Sequence, residues 1–283
     1  MTTAATTLSA PSTRPRTTVR PVTFGRLVVA EWVKIRSLRS TWWTLGATLA
    51  LFVLLAANRV AAIAGVADDA PAEVLVMPAY ATSGVVMAQF VLCGLAAVAI
   101  TGEYRSGQIR ATLTAAPTRL PALFAKLAVV VAVALATGAV GTLLGWAASA
   151  PWFGEIGHGI DVTDPEHARL LLGVPLYLAA MAALAFGIGA AVRSTAAGIS
   201  SVFGLVFVVE PAFSYIPWGP LQDVAAYLPT AAGSRIVTSD AVGSFISGTQ
   251  STVLGPWAGY GVLLAWVAAV LVVAAVLLRR RDA

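Results

Sequence analysis

The sequence predicts an all-α polytopic membrane protein with six transmembrane helices, and three observations carry that prediction. Of 283 residues, 58% are apolar and only 11% charged, with a mean hydropathy of +0.84. A soluble domain carries about a quarter charged residues to hold its surface in water. The apolar residues gather into runs near or above the roughly 20 that cross a bilayer as helix. When those runs are taken as alternating crossings, Lys and Arg separate from Asp and Glu, as the positive-inside rule requires. Soluble classes are excluded.

The crossings are expected, in order, at residues 41–63, 78–101, 122–148, 170–192, 195–209 with a broken extension, and 256–278. Six crossings put both ends of the chain on one side. That side holds fifteen Lys and Arg against three acids, while the other holds three bases against ten acids. The expected topology is therefore multi-pass with both termini cytoplasmic, and the scarcity of Lys, two of eighteen bases, points to a GC-rich bacterial genome and so to a bacterial plasma membrane. The sequence pI near 9.8 does not indicate a nucleic-acid partner, because the bases sit at membrane edges, where anionic headgroups of the lipid bilayer explain them.

Four regions follow from composition. Residues 1–22 are mostly Thr, Pro, Arg and Ala with little to bury, and are expected to be a disordered cytoplasmic tail. Residues 23–40 form an amphipathic helix, 41–278 the six-helix domain, and 279–283 a short cytoplasmic tail. The single cysteine, Cys93, precludes an intrachain disulfide, and His158 and His167 lack partners at metal-ligand spacing.

In the amphipathic segment, Phe24, Leu27, Val28, Trp32, Ile35 and Leu38 recur at helical spacing, with Arg26, Lys34 and Arg36 expected elsewhere on the wheel. A membrane-surface anchor accounts for most of this pattern. Glu31 does not fit it, because it falls inside the apolar stripe, where lipid would bury a carboxylate. It either meets a cation of the next loop, such as Arg105 or Arg110, or reaches past the stripe to water. That loop, GEYRSGQIRATLTAAPTRLP over 102–121, is too polar for membrane and too short for a domain. It reads as a short helix closed by Pro117, or as an ordinary basic turn.

The segments AEWVKIRSLRSTWWTL and TGEYRSGQIRATLTAAPTR, followed by Lys126, resemble the membrane subunit of bacterial ABC transporters of the type-2 permease family, especially actinobacterial members. The pattern rests on Glu103, Gly107, Leu113 and Pro117. The resemblance implies that the amphipathic helix, with Glu31, Lys34 and Arg36, is the connecting helix. It implies that 103–117 is the cytoplasmic coupling helix, on which Glu103, Tyr104, Arg105 and Arg110 meet a separate ATPase. It further implies a second permease copy, in a homo- or heterodimer, and a re-entrant outer element between the last two spans.

A P-loop needs Gly-Lys so that backbone amides wrap the phosphates while Lys reaches the terminal ones. Gly-Lys never occurs here. The chain is therefore expected to bind no cofactor of its own and not to be an enzyme, with ATP and Mg used by the partner. No set of residues suggests catalysis or a metal site.

Glu210, before Pro211, is expected to be an interfacial acid where the fifth helix breaks, rather than a functional intramembrane carboxylate. Beyond it, 221–228 and 236–246 are apolar but too short to span, and suit short helices dipping into the outer leaflet. Thr82, Val86, Gln89 and Cys93 share one face of the second span, and Ser200, Gly204 and Phe207 one face of the fifth. By the resemblance these faces line a path for an amphipathic or hydrophobic compound, which makes Thr82, Gln89, Ser200 and Phe207 substrate-path candidates. Equally, such residues simply pack helices together, as Gly141 with Gly145 and Gly255 with Gly259 are expected to do. The function expected is the permease subunit of an ATP-driven exporter. The alternative is a membrane sensor or assembly protein that binds a cytoplasmic partner without transport.

Overall fold

A computed structural model describes residues 23–107, 120–216, 218–246 and 254–280. Its helices are α1 (Phe24–Ser37), α2 (Arg39–Ala64), α3 (Met77–Ala81), α4 (Val85–Ser106), α5 (Leu120–Ile156), α6 (Pro165–Val192), α7 (Thr195–Gly204), α8 (Glu210–Tyr215), α9 (Gly219–Ala225), α10 (Pro229–Ser234) and α11 (Pro256–Arg280). Among the described residues six stretches are long and apolar enough to cross a membrane: Arg39–Ala64, Ala72–Ser106, Leu120–Ile156, Pro165–Val192, Thr195–Phe213 and Pro256–Arg280. This is a polytopic, all-α membrane protein. The tail 1–22 and positions 108–117 of the expected coupling helix lie outside the described residues.

The span boundaries depart from the sequence expectation in three places, each for a local reason. The second span is broken, because α3 and α4 meet at a turn through Ser83 and Gly84. There the backbone lies against Phe52 so closely that a Cβ on Gly84 would collide with it. The third span runs to Ile156 rather than 148, carrying Pro151 inside it. Trp152, Phe153 and Ile156 pack with Val60, Leu75 and Met77, burial that offsets the proline's missing donor. At 37 residues this helix is about 55 Å long at 1.5 Å per residue, enough to project beyond a hydrocarbon core of about 30 Å. The fourth span begins at Pro165 rather than 170, because Asp164 caps it and proline suits its first turn, while the fifth continues past 209 as expected, through a π-helical segment, Leu205–Val209, into α8.

α6 is the hub. It packs against α4, α5, α7 and α11, and its Tyr177, Leu178, Met181, Leu184 and Phe186 are almost wholly buried. Small residues let neighbours approach it. A Cβ on Gly138 of α5 would stand 2.7 Å from the Pro175 Cα, so the crossing of α5 and α6 needs glycine there. Gly141 and Gly145 receive the Phe52 ring, and Gly259 faces Ala232 and Arg235, so these glycines serve packing within the chain. At Gly255 an added Cβ would meet nothing within 4 Å.

Two faces are defined by the contacts between helix ends. α1, the end of α4, the start of α5, the α6–α7 junction and the end of α11 share one face, called here the α1 face. It carries exposed Trp32, Trp42 and Trp43, while exposed Trp218 and Trp257 lie toward the other, as interfacial aromatic belts require.

The opposite face holds a re-entrant element. α10 and a following 3-10 turn, Arg235–Val237, are buried from Pro229 to Ser239 and pack on α6 and α11. The second short helix is therefore 229–237 rather than the expected 236–246, since Pro229 starts it and the chain turns at Ser239–Gly243. Glu210 is buried within the protein, 5% exposed, and accepts the Thr230 and Ala231 amides, each at 3.0 Å. At the other end Arg169 donates to the carbonyls of Arg235, Ile236 and Thr238 at 3.0–3.2 Å. An acid at the N-terminus and a base at the C-terminus satisfy the orphan groups of a helix too short to satisfy itself. On the same face Asp164 caps α6, and the amides of His167 and Glu166 hold its carboxyl below the usual range.

Candidate functional site

Four charged side chains converge where α1 meets the bundle. Glu31 and Lys34 lie one helical turn apart on α1, Glu103 lies in the last turn of α4, and Lys126 in the second turn of α5. Lys34 Nζ donates to Glu31 Oε1 at 2.7 Å and to Glu103 Oε1 at 2.8 Å. Lys126 Nζ donates to Glu31 Oε2 and lies 3.0 Å from Glu103 Oε1. Two carboxylates and two ammonium groups make the cluster neutral. Glu31, Glu103 and Lys126 are 4–6% exposed, a burial that charges tolerate only when paired and hydrogen-bonded. Burial depresses the Lys34 ammonium, but the hydrogen bonds to Glu103 and Glu31 outweigh it, so its pKa lies above the usual lysine value.

The consequence is mechanical. α1 does not merely float on lipid: ion pairs tie it to the ends of two spans, and Ile35 packs on the central core beside them. The inward face of α1 is thus Leu27, Val28, Glu31, Lys34 and Ile35, whereas Phe24, Trp32 and Leu38 of the expected stripe are exposed. Lys34 accordingly belongs to the inward face, not elsewhere on the wheel. Glu31 meets protein, as one of the two sequence alternatives held, and among the described residues its cations are Lys34 and Lys126, not Arg105.

The remaining proposed coupling residues divide. Glu103 to Ser106 continue the second span as helix, so no separate helix begins at Glu103. Gly107 ends the span with φ +70, and its amide donates to the Tyr104 carbonyl. This left-handed position favours glycine because it has no Cβ. Tyr104 is half-buried under the Arg193 guanidinium, 5.2 Å from its ring centre. Arg193, itself at φ 61, also donates to the Leu277 carbonyl at 3.3 Å, joining the second, fourth and sixth spans. Arg36 and Arg105 are exposed on the α1 face. Arg110, Leu113 and Pro117 lie outside the described residues.

The substrate-path candidates are not brought together. Tyr177 donates to Gln89 Oε1 at 2.5 Å, Thr82 to the Pro78 carbonyl at 2.7 Å, and Cys93 to the Met181 carbonyl at 3.6 Å. All three are buried, so within the chain this face of the second span is a packing face against α6. Ser200 and Phe207 are exposed. The Phe207 ring stacks on Phe90, with centroids 4.3 Å apart, and lies near Phe203, so the second and fifth spans meet through aromatics instead of polar groups.

Lys126 is the site residue the expected set omitted. Its signal is visible in LFAKLAVVV, one cation at the start of a long apolar run, where an ionisable residue calls for a partner. Among the described residues no cluster of His, Cys, Asp or Glu could hold a metal ion. No known protein-family model matches the chain, and no curated protein matches it in sequence. What the arrangement can do follows from its geometry: a force applied to α1 or to the end of α4 passes directly into the second and third spans.

Proposed function

We propose that this chain is the permease subunit of an ATP-driven ABC exporter that moves an amphipathic or hydrophobic compound across a bacterial plasma membrane. In this reading two permease copies work with two copies of a separate ATPase, which binds ATP and Mg, and the α1 face is cytoplasmic. The observation that carries it is the buried cluster of Glu31, Lys34, Glu103 and Lys126. A helix lying at the membrane edge but locked to two spans is a lever for a soluble motor, whereas a simple anchor needs no buried ion pairs. The exposed Arg36 and Arg105 beside it offer cations to a partner's acidic groups. The resemblance of 30–44 and 101–126 to type-2 permeases supports the same assignment. The test is affinity purification of the tagged chain from its native membrane, with identification of co-purifying chains and assay of ATP hydrolysis in nanodiscs. A stoichiometric ABC-type ATPase is expected; its absence would favour a sensor or assembly protein.

A further inference from the structure

A cleft of about 660 Å³ runs along the second span and ends at the charge cluster. Ser40 and Thr44 of α2 form one wall, Ile199 and Phe203 of α7 the other, and Val98 lies between them. Lys34, Glu103 and Lys126 close one end, and Phe90 marks the far end. From Phe90 to Glu103 the helix rises about 20 Å. The volume is within the range of roughly 300–1,000 Å³ usual for small-molecule sites.

The charged end is incompletely satisfied. Glu103 Oε1 takes both lysines, while Glu103 Oε2 is buried without a hydrogen-bond partner among the described residues. A buried acceptor left unmade is costly, and this one belongs to a residue that lines the cleft. Beside it Lys34, whose side chain is one-third exposed, spends two ammonium hydrogens on Glu31 and Glu103 and has a third to donate. Rotation of the Glu103 carboxyl about its last, broad torsion would turn that buried acceptor toward the cleft it lines, beside the Lys34 donor, at the end of an apolar channel with no net charge.

That combination selects a head group. An ammonium would approach two lysines and a carboxylate or phosphate two glutamates, in surroundings of low dielectric where repulsion is strong. A hydroxyl both donates and accepts and brings no charge. We infer that this cleft binds a neutral amphiphile with a hydroxyl-bearing head, held by Glu103 and Lys34, with its apolar tail laid along the second span toward Phe90 and Phe203. The site needs only this chain, so its failure would leave the transporter assignment untouched.

The test is photo-crosslinking in phosphatidylcholine nanodiscs with monoolein carrying a diazirine in its tail. Saturable labelling is expected on peptides containing Phe90, Val98 and Phe203. Unlabelled monoolein should compete, and oleate and oleylamine should compete roughly tenfold less well. Gly94 lines the cleft, and an added Cβ there meets nothing within 4 Å, so Gly94→Phe should fill the cleft and remove saturable labelling. Gly46→Phe, on an exposed face with equal room, controls for folding and should retain it. Glu103→Gln should weaken labelling roughly tenfold. A neutral lipid enriched in extracts of the purified chain would identify the membrane as the source, and labelling without such enrichment an external compound. Labelling that does not saturate, survives Gly94→Phe, or is competed equally by oleate or oleylamine would overturn the proposal. So would a disulfide-linked dimer formed efficiently by Val98→Cys, since the cleft would then be covered by a second copy.

Discussion

Lys126 and Glu31, 95 residues apart in sequence, form a buried ion pair that fastens the N-terminal helix to the third span. Glu31→Leu leaves Lys126 with a single carboxylate in a buried site. The expected cost is about 3–5 kcal/mol, read as a large fall in thermal midpoint in detergent. The exchange Glu31→Lys with Lys126→Glu should recover much of the loss. Additive losses in the double variant would mean that the two residues stabilise the protein separately.

The re-entrant element rests on Glu210. Glu210→Ala leaves the amides of Thr230 and Ala231 buried and without their carboxylate, at about 1–3 kcal/mol. Hydrogen exchange at 229–237 should accelerate roughly tenfold or more while that of α5 stays constant. Exchange that is unchanged would show that the packing of α10 on α11 holds the element unaided.

Gly107 stops the second span in a left-handed conformation. Gly107→Val should destabilise that turn by about 1–2 kcal/mol, whereas Ser106→Ala, at an exposed neighbouring site, should be close to neutral. Comparing thermal midpoints checks both.

Orientation is tested by labelling. Thr163 and Ser106 are exposed on opposite faces, and the native Cys93 is buried. Thr163→Cys should react with an impermeant maleimide on intact cells, and Ser106→Cys only after permeabilisation. The reverse pattern would invert the proposed topology.

The sequence made the number and order of spans legible because a 20-residue apolar run has few other uses. It also flagged Glu31, since a carboxylate within an apolar stripe demands a partner. The identity of that partner was not legible: Lys34 and Lys126 are brought to Glu31 by the way α1 folds back on α5, a tertiary fact with no local signature. The second-span face of Thr82, Gln89 and Cys93 was ambiguous because small polar groups suit a path and a packed interface equally, and α6 covers it. The partners of Glu210 were not legible because hydropathy cannot see the amides of α10, which turn a costly buried acid into a helix cap.

Glu103 is bound into the ion cluster, so its substitution reports on folding as well as on any partner. Arg105 is exposed on the same face and makes a cleaner probe of the central claim, that the α1 face engages a separate ATPase. The decisive measurement is quantitative co-purification of that ATPase, with ATP hydrolysis in nanodiscs, for wild type and Arg105→Glu at matched thermal stability. The account predicts a stoichiometric ATPase with the wild-type chain and a loss of roughly tenfold or more in its capture and activity with the variant. A wild-type chain that captures no ATPase, or an Arg105→Glu chain that captures it undiminished, would contradict it.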